Sequence, residues 1–152
     1  MAKDNLLGTA ADGGCYAALE SHEPEVEVLS NSKVVTFVAT SKPDSAKDFY
    51  EQTLGLRLIA DDAFALVFDA NGVMLRVQKV EVHTPASHTV LGWDVRDIYT
   101  EVKELMRRGV RFEQYEWLEQ DEFGVWTAPS RAQIAWLKDP DGNVLSLTQF
   151  KE

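Results

Sequence analysis

A single cysteine, Cys15, stands in a chain of 152 residues. One thiol cannot close an internal disulfide, and there is no Cys-x-x-Cys pair to hold a metal or a redox centre. The disulfide-stapled scaffolds are thereby excluded, and a reducing compartment is expected. Long apolar runs are missing too: none approaches the ~18–20 residues that a membrane-spanning helix requires. The N-terminus carries no basic flank followed by an apolar core, so no secretory signal is read there. A cytoplasmic protein without a membrane partner is the expectation. Cations are scarce as well, with 15 Lys and Arg against 25 Asp and Glu, a net charge of −10. Phosphate backbones and anionic surfaces are bound by clustered Lys and Arg, so this balance argues against nucleic acid as a partner. It favours neutral or cationic ligands, and the same acidity also serves solubility.

What is present suffices for one domain, or for two small modules sharing a core, since 45% of the residues are hydrophobic. Residues 1–32 differ from the rest. Small residues dominate up to Ala18, and the acidic piece Glu20 to Glu27, broken by Pro24, follows without a sustained period. This is read as a weakly ordered extension, a possible docking arm, with a short edge strand among Val26, Val28 and Leu29.

From residue 33 the pattern sharpens. Val34 to Ala39 reads as a strand, rich in β-branched and aromatic residues. Ser41 with Asp44 three residues on resembles a capping box, and Pro43 suits a first helical turn. Ala46, Phe49, Tyr50 and Leu54 then share one helical face, and Gly55 is placed to end the helix. Strands are predicted over 56–60, 64–69 and 73–77, the last two joined by Asn71-Gly72, a hairpin pair.

The order then repeats. Thr89 to Val95 reads as a strand; Asp97 can cap a helix whose Ile98, Val102, Leu105 and Met106 lie together, and Gly109 closes it as Gly55 closed the first. Strands over 111–117, 133–138 and 144–148 complete the copy, with a loop from Glu119 to Ser130 inserted. The sequence thus predicts an α+β chain of two βαβββ modules, about 33–79 and 88–150, each too small to bury its sheet alone.

Three motifs fall in register on this duplication: Phe49-Tyr50-x-x-x-Leu54-Gly55-Leu56, Gly109-Val110 after the second helix, and Lys138-Asp-Pro-Asp-Gly-Asn143 before the last strand. Together they resemble the vicinal oxygen chelate superfamily, the glyoxalase, bleomycin-resistance and extradiol-dioxygenase group, over roughly Lys33 to Phe150. The resemblance implies paired modules whose sheets curl around a cleft. It also implies, in metal-dependent members, His or Glu ligands on the first and last strands of each module. Carried over, those positions fall near Val35, Arg76, Val90 and Ser146. None is a ligand of that kind, and a shift by one residue brings only Thr36, Leu91 or Thr89. No metal and no cofactor are therefore expected.

Other chemistry is thin. His83 and His88 flank the second module's first strand with no carboxylate at ligand spacing; surface or turn roles stand beside ligand or acid–base work. Cys15 has no context that marks a nucleophile. Asp139 and Asp141 sit in a Pro-Asp-Gly turn, where carboxylates bond backbone amides. Asp94 is read either as an edge carboxylate or as a cleft charge facing Arg76 or a cationic ligand. Trp93, Trp117, Trp126 and Trp136 all belong to the second module, with Tyr115 and Phe123 near them, which suits a pocket, an interface or a core. The candidate ligand-binding set is Phe37, Arg76, Trp93, Asp94, Trp126 and Ser146, with Trp126 placed on a flap. The expected function is a metal-independent small-molecule binder, a homodimer that completes its cleft, with binding favoured over catalysis and catalysis left open. The alternatives are a lyase, isomerase or dioxygenase with displaced ligands, and a partner-binding scaffold.

Overall fold

Two strands that begin with four consecutive buried residues, Ala65–Ala70 and Val144–Gln149, form the centre of the fold, and neighbouring strands alternate in burial beside them. The computed structural model describes residues 27–152. Most of the expected extension, with Cys15, His22 and Val26, lies outside the described residues. Val28 and Leu29 form no edge strand: they stand exposed in a bend held by Ser32 N–H donating to the Leu29 carbonyl at 3.0 Å.

The first module comprises β1 (Val35–Thr40), α1 (Pro43–Asp48) running into a π-helical turn (Phe49–Thr53), β2 (Arg57–Asp61), β3 (Ala65–Ala70) and β4 (Val73–Lys79). The second comprises β5 (Thr89–Asp94), α2 (Ile98–Arg107), β6 (Trp126–Thr127), β7 (Gln133–Lys138) and β8 (Val144–Gln149). Each builds a four-stranded sheet with its first strand parallel to its last, in the orders β1-β4-β3-β2 and β5-β8-β7-β6. The expected duplication is present, and no sheet closes into a barrel.

Gly55 and Gly109 end the helical segments at φ +74° and +95°, the left-handed caps expected of them. Asp97 caps α2 by accepting from Thr100 N–H at 3.3 Å. Two sequence expectations fail. The capping box at Ser41 does not form: Lys42 is the N-cap, without a side-chain bond. Ser41 instead donates its N–H and hydroxyl to Asp141 Oδ1, at 2.8 and 3.1 Å. The strand over 111–117 shrinks to one bridge, Phe112 with Leu137. Gln120 is the reason, because its amide takes over the backbone groups a strand would pair. It accepts from Tyr115 N–H at 2.6 Å and donates to the Glu113 and Gly124 carbonyls, both at 2.8 Å. The edge of the second sheet is built by β6 instead, so Trp126 belongs to a strand rather than a free flap.

In both sheets one side packs inward. Val38, Leu66, Phe68, Leu75 and Val77 of the first sheet join Ala46 and Tyr50, and Leu137 and Leu145 of the second module lie in the same cluster. A second cluster holds Ile98, Val102 and Leu105 of α2 against Ala135 and Leu147. Met106, expected on that helical face, is exposed. The modules thus share a core through their helix-bearing sides.

The Asp-Pro-Asp-Gly-Asn turn fastens this packing. Asp139 is buried and accepts from the Asp141 and Asn143 N–H groups, from Asn143 Nδ2, and from the Tyr50 hydroxyl at 2.7 Å. Asp141 accepts from the Thr40 hydroxyl at 2.5 Å, and Asn143 Nδ2 donates to the Ala39 carbonyl at 2.9 Å. One five-residue turn of the second module therefore satisfies polar groups at the end of β1 and on the π-helical turn.

Candidate functional site: the open sheet faces

The residues that do not pack inward define the site. On the first sheet, register places Val35 beside Met74, and Phe37 beside Arg76, which in turn pairs with Val67. Phe37 is 57% exposed, and Val35 and Met74 are exposed on the same face. Apolar surface of this kind on a sheet face asks for a cover. Phe37 and Arg76 are thus neighbours.

On the second sheet, Gly92 lies opposite Ser146, which lies opposite Trp136. Asp94 pairs with Thr148, Thr148 with Ile134, and Ile134 with Trp126. The structure therefore brings Asp94, Ser146 and Trp126 onto one face. Gly92 is what makes that face concave: a Cβ there would stand 2.6 Å from Ser146 Oγ. A cavity of about 300 Å³ lies here, bounded by Gly92, Asp94, Thr148 and Phe150. Aromatic rings stand on strands farther along the same face, outside the cavity's own lining. Trp126 and Trp136 lie 6.1 Å apart between centroids, tilted by 32°; Tyr115 meets Trp136 edge-on at 5.6 Å; and Trp117, 77% exposed, lies 4.9 Å from Tyr115. Trp136 is anchored by its indole N–H donating to Thr89 Oγ1 at 3.1 Å.

The loop leading to Trp126 is held by Asp121, which accepts from the Phe123 and Val125 N–H groups, both at 2.9 Å, and from the Tyr99 hydroxyl at 2.5 Å. That bond to Asp121, with some burial, pushes the Tyr99 phenol up to about 12, so it stays a donor at neutral pH.

Trp93 is different. It borders the cavity but pairs with Leu147, and its indole packs against both core clusters, on the helix side of β5. Strand alternation puts neighbours Trp93 and Asp94 on opposite faces, so Trp93 does not share the face of Asp94, Ser146 and Trp126. Sequence reading passed over Gly92, although an isolated glycine within a strand pattern signals a close approach. The Phe37–Arg76 pair and the Asp94–Ser146–Trp126 group sit on different sheets. Each faces away from the shared core, and the cavity on the second face is lined by second-module residues alone.

The residues at the four positions to which the resemblance points, Val35, Arg76, Val90 and Ser146, do not make a donor set for a divalent ion. Val35 faces Met74, Val90 lies at the irregularity between Thr89 and Leu91, Arg76 brings a cation, and Ser146 offers one hydroxyl. Among the described residues, no group of three or more His, Cys, Asp or Glu is arranged to hold a metal ion. His83 bonds Asn143 Oδ1 through Nε2 at 2.6 Å, and since Asn143 Nδ2 is already donating, that imidazole nitrogen donates. His83 thereby belongs to the inter-module fastening. His88 is exposed at the entry to β5.

Two mixed sheets of four strands, each with a helix on one side and a bare face on the other, define an α+β protein of paired βαβββ modules. The sequence model of the Glyoxalase/Bleomycin resistance protein/Dioxygenase superfamily matches residues 33–147, and the chain belongs to that family. Among solved structures it is similar to a bleomycin resistance determinant encoded on the transposon Tn5, at 19% identity and a TM-score of 0.64, covering 80% of this chain and 100% of that one. A bleomycin-binding protein complexed with bleomycin gives 20% identity, a TM-score of 0.63 and the same coverage. A lactoylglutathione lyase from Agrobacterium tumefaciens gives 17% identity and a TM-score of 0.58, covering 79% and 95%. At these identities the likeness is one of fold. No curated protein matches the sequence. No helix among the described residues is long and apolar enough to cross a membrane.

Proposed function

We propose that the chain is a metal-independent small-molecule binding protein whose site is the open face of the second sheet. The observation that carries this reading is the Gly92–Ser146 hollow beside the Trp136–Trp126 pair: space, stacking surface and a few polar groups, with no set of metal donors. Aromatic walls with sparse polar groups are what small-molecule pockets are built from. Asp94 and Ser146 supply the orienting polar contacts, and an aromatic ligand stacks on Trp126 and Trp136.

The site is completed by a second copy. Phe37 and Arg76 stand on a bare apolar face in one protomer, and the same symmetry-related surface covers the hollow of the other. Under this arrangement the protein works as a homodimer in the cytoplasm, without a cofactor, and sequesters rather than transforms its ligand. Its acidic balance favours cationic aromatic molecules.

The test is intrinsic tryptophan fluorescence titrated with a panel of aromatic cations that includes bleomycin-type drugs. Saturable quenching at micromolar ligand, weakened about fivefold to tenfold in Trp126→Leu, is expected from the loss of one stacking partner. Quenching absent across the panel, or untouched by the substitution, contradicts the reading.

A further inference from the structure

The two core clusters meet at an opening on the helix side of β5, across the sheet from Ser146 and Trp136. Leu54 and Trp93 pack against both clusters, yet a cavity of about 310 Å³ remains beside them. Its floor is apolar: Leu54 and Leu56 from the first module, Trp93 and Leu147 from the second sheet, and Leu105 from α2. Side chains between packed layers normally fill such space, because unfilled volume costs stability.

Here a polar strut sets the spacing. Arg108, at the end of α2, donates Nη1 to the Thr53 carbonyl at 3.0 Å and to the Gln52 carbonyl at 3.4 Å, reaching across to the first module. Its Nε donates to Glu104 Oε1 at 3.0 Å, and Arg107 closes on the same carboxylate at 2.6 and 2.9 Å. Those guanidinium bonds hold the Glu104 carboxyl down at about 2. Glu104 is thus fully charged and fully engaged.

Glu101 is not. It lies one helical turn earlier on α2 and borders the same cavity, and its carboxylate has no hydrogen-bond or ion-pair partner among the described residues. Asp94 and the mutually paired Glu104 and Arg108 also line the cavity, so carboxylates outnumber the one guanidinium. A carboxylate free beside a floor of one indole and four leucines is complementary to a cation on an apolar body.

We propose that this seam cavity is a second ligand site, distinct from the open-face hollow, taking a small organic ammonium ion. Its aromatic or aliphatic body lies on Leu56, Leu105 and Trp93, and its ammonium group meets Glu101. The volume admits a body of one ring and a short chain, at the small end of ligand pockets. Asp94, at the end of β5, borders both this cavity and the open-face hollow, but neither a partner copy nor Ser146, Trp126 or Trp136 enters the proposal, so its failure is distinguishable from that of the function proposed above.

The intact chain labelled with 5-fluorotryptophan separates the two sites, because fluorine resonances of Trp93, Trp126 and Trp136 can be assigned by single Trp→Phe variants. The probe is 2-phenylethylammonium, with 2-phenylethanol and phenylacetate as neutral and anionic counterparts. The expected result is a saturable shift of the Trp93 resonance by the ammonium at about millimolar concentration, with Trp126 and Trp136 unmoved. Glu101→Gln, an exposed substitution that leaves the core intact, weakens binding about fivefold, and the neutral counterpart binds correspondingly less well. Leu56→Trp, which fills the cavity, abolishes the Trp93 shift. The proposal is overturned if Trp93 does not shift, if all three probes bind alike, if Glu101→Gln binds as the parent does, or if only Trp126 and Trp136 respond.

Discussion

Asp139 is the residue whose surroundings explain most about its neighbours. It is buried with four hydrogen-bond donors aimed at its two oxygens, one of them the Tyr50 hydroxyl from the other module. Burial first, and then the Asp139 charge, push the Tyr50 phenol far above its ordinary value, so it donates at every accessible pH. Tyr50→Phe removes that donor and leaves the carboxylate under-satisfied; a loss of about 1–3 kcal/mol in urea unfolding is expected. Glu104 yields a second prediction at this scale. Its carboxyl is held down at about 2, below its unfolded value, so its contribution is complete above the unfolded value and lost as pH falls toward 2. Thermal midpoints followed from pH 5 to 2 should therefore drop less steeply in Glu104→Gln than in the parent. The group is fully exposed, and the difference should shrink in high salt.

Elements show how far sequence patterns carried. Strand alternation, the Asn71-Gly72 hairpin and the helix-ending glycines were legible because each rests on local conformational preference. The strand expected over 111–117 was not, because its backbone groups are taken by the side chain of Gln120, five to seven residues on, which no periodicity reveals. Gln120→Ala should release that segment, costing about 1–2 kcal/mol and lowering hydrogen-exchange protection at the Tyr115 amide. Gly142 makes a stricter case. It holds φ +88°, and an added Cβ would stand 3.2 Å from Pro85 Cγ. Gly142→Ala should cost about 1–2 kcal/mol, read as a lowered urea midpoint. Of the candidate residues, register sets Phe37 beside Arg76 on one sheet and Asp94, Ser146 and Trp126 on one face of the other, whereas Trp93 lies on the opposite face, an arrangement that the sequence pattern did not specify. A pattern of aromatics states composition, but only strand parity states direction.

For the whole molecule, the decisive feature is that the two modules pack through their helix-bearing sides, so both bare faces are left for something else. The proposed second copy makes a direct prediction. Phe37→Glu puts a charge on the exposed apolar face without touching the core and should shift the dimer to monomer in sedimentation equilibrium, with the thermal midpoint little changed.

The central claim is that this member of the family binds a small molecule without a metal. Isothermal titration calorimetry with the best ligand from the fluorescence panel, before and after exhaustive dialysis against chelator, addresses it most directly. The account predicts the same affinity in both preparations and no stoichiometric nickel, zinc, iron or manganese in the protein as purified. Binding lost on chelation and restored by one of those ions would contradict it.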